Sequence, residues 1–152
     1  MSALIEQLSQ FANLTNGSNQ GAFYRAKLDA AKDVKVEPLK SVLTKEQIDR
    51  ISHLNFKPKE CYRNAFLVAQ ALNCEYVEGQ MLFYFGIDHA FNKIGNRYFD
   101  VTKELVLKEN PSECEYISIG EYSWETAWNV FSEENCYTDV FNVLYVKSLK
   151  DE

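Results

Sequence analysis

The sequence has neither the residue spacings that hold a structural metal nor the runs that span a membrane. Its four cysteines, Cys61, Cys74, Cys114 and Cys136, stand far apart, with no Cys-x-x-Cys pair and no nearby histidine to complete a zinc cage. No apolar stretch is long enough to cross a bilayer, and Met1 to Leu8 has no basic region leading into an unbroken apolar run. The expectation is a cytoplasmic protein that makes no membrane contact. In that reducing compartment an even number of cysteines implies no disulfides. Basic residues do not cluster, and with a net charge of −6 the surface repels nucleic acid, which is excluded as a general partner. Internal repeats and low-complexity segments are absent.

What remains is the material of one globular unit. At 152 residues, 46% apolar and 25% charged, the chain can bury one real core, so residues 1–152 are expected as a single α+β domain. Residues 1–55 read as a helical cover. Leu4, Leu8, Phe11 and Ala12 mark one face of a helix from Ser2 to Leu14, and Thr15 to Gly21 breaks it. A second helix is predicted from Ala22 to Ala31, Val34 to Val42 is a connection interrupted by Pro38, and Thr44 with Gln47 opens a short helix through Ile51.

Residues 59–148 read as a helix packed with a sheet. Pro58 stands at a helix entrance, and Cys61, Ala65, Val68 and Leu72 follow at intervals of four, three and four in a run ending at Asn73. Tyr76 to Ile87 is rich in β-branched and aromatic residues and predicts one or two strands, with Gly79 marking a bulge or a close backbone approach. A hairpin turning near Gly95 follows. Further on come a strand over Tyr116 to Ile119, a helix from Ser123 to Phe131 with Trp124 and Trp128 as core or pocket wall, and a closing strand over Asp139 to Val146.

Three residues in this frame have the chemistry of an activated thiol. Cys61 heads a helix, where unpaired N–H groups and the positive end of the dipole favour a thiolate. His89 lies on the first strand of the Gly95 hairpin and Asp100 on its return. An aspartate among Tyr98, Phe99 and Val101 either ends the strand, as a turn or a cap with Thr102, or has a partner such as His89, because an unpaired buried carboxylate is costly. A hairpin turn of even length puts His89 and Asp100 on one face, directly opposite if centred on Ile94-Gly95 and diagonal if centred on Gly95-Asn96, whereas an odd length separates them.

The order Cys61, then Tyr76-Val-Glu-Gly, then His89-Ala-Phe, then Asp100-Val-Thr resembles the papain-like and transglutaminase-like cysteine superfamily over residues 59–102. Phe91 replaces the usual Trp and Val101 the common Pro. The resemblance implies a papain-like core, with the Cys-bearing helix on an antiparallel sheet, Cys61 as nucleophile, His89 as base and Asp100 as orienter. The expected activity is acyl transfer or hydrolysis at an amide, isopeptide or ester bond of a peptide or protein substrate, without cofactor or metal. The Cys61 N–H is the natural oxyanion donor, and Tyr62, Asn64, Asn55 and Gln80 are candidates for a second. Gln47, the nearest upstream Gln, has no supporting motif. Two other readings stand beside this one: a catalytically silent binding or inhibitory protein of the same fold, and a metal held by Cys61, His89 and Asp100. The latter set is not a usual zinc set. Substrate identity and oligomeric state have no signature in the sequence.

Overall fold

The computed structural model describes residues 2–150. Helix α1 (Ala3–Leu14) is capped by the Ser2 hydroxyl, which accepts from Ile5 N, and buries Leu4, Leu8 and Ala12. Phe11, expected on that face, is half exposed and stacks on Tyr24 instead. Helix α2 (Asn19–Ala30) starts three residues before the predicted Ala22, because Ser18 in the breaking loop is itself the cap and accepts from Gly21 N. The stretch expected to be a plain connection contains an edge strand, β1 (Lys32–Val34), and one helical turn, α3 (Leu39–Val42), begun by Pro38. Helix α4 (Lys45–Ile51) carries the predicted capping box of Thr44 and Gln47.

Helix α5 (Cys61–Leu72) ends at Asn73, whose φ of 49° is the left-handed cap conformation that Asn tolerates. After it come β2 (Glu75–Leu82), β3 (Gly86–Ile94), β4 (Arg97–Phe99) and, beyond a π-helical turn over Thr102–Val106, β5 (Tyr116–Tyr122). They form one antiparallel sheet in the order β1-β5-β2-β3-β4. The fold is therefore α+β with helices on an antiparallel sheet. α5 lays Ala65, Phe66 and Ala69 against Tyr76 of β2 and Ala90 of β3, and Val68 and Leu72 against Phe99 and Val101.

Gly79 is the close-approach point the sequence suggested. The β2–β5 register shifts between Glu78 and Gly79, and a Cβ on Gly79 would lie 1.8 Å from the Ile117 carbonyl oxygen. Helix α6 (Trp124–Glu134), capped by Ser123, packs Ala127, Val130 and Phe131 on the same core as α5. Trp124 is packed at the edge of that core, and Trp128, half exposed, stacks on Phe66 and lines a cleft with Phe131 and Tyr137.

The expected closing strand over Asp139 to Val146 is instead helix α7 (Val140–Lys150). Alternation of Val, Asn, Leu and Val fits a strand, but Val140, Val143 and Leu144 also fit one helical face and pack there against the α5–α6 core. The deciding contact comes from far away in sequence. The buried Glu78 carboxylate of β2 accepts from Val140 N (2.7 Å) and Phe141 N (2.8 Å), and Asp139 accepts from Asn142 N, so the first-turn donors of a helix find partners that a strand would not use. No helix among the described residues is long and apolar enough to cross a membrane.

Candidate active site

The β3–β4 hairpin turns at Gly95-Asn96, with Ile94 opposite Arg97 and Gly95 at φ 60°, the glycine position of a type II′ turn. The turn has even length, and Asp100, one residue past β4, falls diagonally to His89 on the same face. Their side chains meet: His89 Nε2 lies 2.7 Å from Asp100 Oδ2, with both residues buried. Asp100 is held by two further donors, Tyr116 Oη on Oδ2 at 2.7 Å and Lys103 N on Oδ1 at 3.1 Å. The second comes from the π-helical turn, which folds the backbone back onto the carboxylate.

Cys61 reaches this pair from the first turn of α5. It is half-buried, and it lies close enough to His89 to add to the forces that favour the charged imidazole. With Nε2 committed to Asp100, Nδ1 is the ring nitrogen left for the sulfur. The chain enters α5 through Lys59 at φ 62°, an uncommon conformation for a side-chain-bearing residue, and Glu60 at the cap position makes no side-chain cap bond. Among the described residues, no side chain therefore caps the N–H groups of the turn that bears the thiol.

The electrostatics of the pair follow from burial and charge. Burial opposes a charged imidazole, but the Asp100 charge and hydrogen bond, with a smaller contribution from Cys61, outweigh it and push His89 up to about 10. For Asp100, burial again opposes the ion, and the His89 charge, with the bonds from His89, Tyr116 and Lys103, holds the carboxyl below its ordinary value. An imidazolium–carboxylate pair is the form this arrangement favours at neutral pH. The remaining cysteines lie elsewhere. Cys74 is buried and pushed up to about 12 by that burial, Cys114 is also raised by burial and its thiol donates to Leu82 O, and Cys136 is exposed.

The candidate second oxyanion donors separate by environment. Asn64 is corrected to a strut: its amide N–H groups are spent on Lys57 O (2.8 Å) and Thr102 Oγ1 (3.0 Å), and its oxygen accepts from Lys57 N (3.0 Å), so no donor is left for a substrate. The strut ties α5, three residues beyond Cys61, to the turn two residues beyond Asp100. Replacing Asn64 with alanine is expected to cost about 1–3 kcal/mol in urea unfolding, because Lys57 loses both of its backbone partners there. Asn55 is exposed in the loop before α5, where its carbonyl accepts from Arg63 and it lines a surface cleft with Phe56 and Leu105. Gln80 donates to Asp88 at 3.4 Å, and Tyr62 lines a small cavity with Lys27, Asp88 and Asp139. The Cys61 N–H remains the donor with no side chain in competition.

One residue that bonds the His89–Asp100 pair, Tyr116, and one that decides a helix of the fold, Glu78, were missed in the sequence. Tyr116 reads as a strand start, and nothing near it points to Asp100, because the contact crosses from β5 to the end of β4. Glu78 was legible: a carboxylate in Tyr-Val-Glu-Gly is as out of place in a strand as Asp100. Comparison with protein-family models, with curated proteins and with solved structures gives no match.

Proposed function

We propose that this protein is a cysteine-nucleophile hydrolase or acyltransferase with a papain-like or transglutaminase-like core, acting on an amide, isopeptide or ester bond of a peptide or protein. One observation supports the reading above the rest: the buried His89–Asp100 pair has Cys61 near enough to act on the imidazole, at a helix start that Glu60 leaves uncapped. In this reading the resting imidazolium of His89 already carries the proton that Cys61 has given up, and the thiolate attacks the carbonyl carbon. The oxyanion that forms takes the Cys61 N–H, and His89 returns the proton to the leaving amine or alcohol as the acyl–nitrogen or acyl–oxygen bond breaks. Attack of water or an amine on the thioester, with His89 again taking the proton, frees Cys61. Asp100 keeps its charge throughout and holds the ring.

A second reading, a catalytically silent binding or inhibitory protein, is favoured by the β2–β3 tip, where Phe83, Tyr84 and Phe85 are 61%, 86% and 60% exposed in a row. Iodoacetamide labelling across pH separates the two. Under the enzymatic reading Cys61 is alkylated at pH 6 about tenfold faster than the exposed Cys136, and His89→Ala removes the difference. Equal pH curves for Cys61 and Cys136, unchanged by His89→Ala, would reject it. Peptide, isopeptide and acyl-thioester substrates, with Cys61→Ala as blank, then identify the bond.

A further inference from the structure

The Tyr116 hydroxyl does more than fill a strand position. The residue is 1% exposed, its ring stands edge-on to Phe91 at 5.2 Å and 6.2 Å from the His89 ring, and its hydroxyl donates to Asp100 Oδ2. That oxygen is the one that also meets His89 Nε2, each at 2.7 Å. A buried tyrosine needs a partner for its hydroxyl, but many carbonyls in a sheet would serve. Here the bond is made to the acceptor that orients the imidazole. We propose that Tyr116 is a positioning residue of this site, which fixes the Asp100 carboxylate against the His89 ring and, by sharing Oδ2, sets how tightly that carboxylate holds the His89 proton. The inference takes its catalytic meaning from the acyl-transfer reading, whereas the coupling it asserts is a property of the three buried side chains alone.

Two donors on one oxygen compete, because each withdraws charge the other would use. Tyr116 can only donate: burial, followed by the Asp100 charge, pushes its phenol far above the ordinary range, so it stays protonated. The other titratable or charged groups around the three residues are Cys61 from α5, Lys103 and Glu104 from the π-helical turn and Cys114 before β5. Among them only Lys103 bonds the Asp100 carboxylate, through its backbone N–H and to the other oxygen, while Glu104 N donates to the Asp100 backbone carbonyl. Removing the Tyr116 hydroxyl therefore leaves Oδ2 a stronger acceptor for His89, and a more acidic phenol leaves it a weaker one.

The chain has only two histidines, so the His89 ring can be followed by nitrogen-labelled imidazole NMR against His53 as the internal control. Tyr116→Phe keeps the ring and is expected to raise the His89 titration midpoint by about one pH unit. Site-specific 3-fluorotyrosine at position 116, a stronger donor of nearly the same size, is expected to lower it. A purely structural role would change the melting temperature without moving the midpoint in opposite directions, and a midpoint equal to wild type in both proteins would overturn the proposal. If Tyr116→Phe does not fold, the fluorotyrosine protein decides by itself. Cys61 alkylation on the same samples judges the acyl-transfer reading separately: a shifted His89 beside an inert Cys61 keeps the coupling and discards the enzyme.

Discussion

Asp100→Asn is expected to bring the His89 titration down from about 10 to near or below its ordinary 6.5, because the charge that offsets burial is gone while the burial stays. The variant should also lose about 3 kcal/mol of stability at pH 6, where the wild-type pair is fully charged and the variant must either bury an imidazolium without its counter-ion or release its proton. The pH dependence of folding gives an independent reading. His89 holds its proton more tightly folded than unfolded, so its contribution is complete below pH 6.5 and is lost as pH rises through about 10. Asp100 has the opposite sense: held below its ordinary 3.8, it contributes above that value and loses the contribution as pH falls further. Glu78, pushed up to about 8 by burial and by the Asp139 charge against its three hydrogen bonds, adds to the first slope between 4.5 and about 8. Wild-type stability in urea should thus be greatest at about pH 4 to 4.5, decline from there with Glu78 and more steeply above pH 6.5 with His89, in total by an amount on the order of several kcal/mol towards pH 10. In Asp100→Asn the part of the decline above pH 8 should vanish while the Glu78 part below it persists. Parallel curves for the two proteins would mean that His89 is not charged by Asp100 in the fold.

Gly79→Ala is expected to cost about 3 kcal/mol or more. The three atoms nearest an added Cβ are all backbone, with Ile117 O at 1.8 Å, Ile117 C at 2.8 Å and Ser118 Cα at 3.1 Å, so no side chain can rotate out of the way. Relief requires β5 to move from β2. Because Gly79 is paired with His89 across β2–β3 and β5 carries Tyr116, the strain falls on the strands that assemble the pair. Thermal unfolding should show the loss, and His89 should titrate closer to its ordinary value in whatever fraction folds. A melting temperature within a degree or two of wild type would contradict the close approach. Gly95→Ala provides the contrast: nothing lies within 4 Å of its Cβ, and its only penalty is the positive φ of 60°.

The extent to which the fold could be read from the sequence depended on how locally each element is determined. α1, α4 and α6 follow from caps and apolar spacing within a dozen residues, and their Ser2, Thr44 and Ser123 caps form. The site's central geometry was also local. One hairpin joins His89 and Asp100, so the parity of a two-residue turn decides whether they meet, and Gly95 points to such a turn. α7 was not legible, because Val140 to Tyr145 is compatible with both periods. The choice between them rests on Glu78, sixty-two residues earlier, whose carboxylate supplies the acceptors that a helix start needs and a strand does not.

By itself, the sequence determined which residues have the right chemistry and which short elements carry them: a thiol at a helix start, an imidazole and a carboxylate on one hairpin, and a glycine where backbones come close. The tertiary structure decided everything that depends on convergence from distant segments. It turned Asn64 from a donor into a strut through Lys57 and Thr102, and it brought Tyr116 onto the oxygen facing His89. It also charged the imidazole, because the energy of a buried ion is set by whatever the folded chain places within a few ångströms of it, and that neighbourhood does not exist until the sheet and helices have packed.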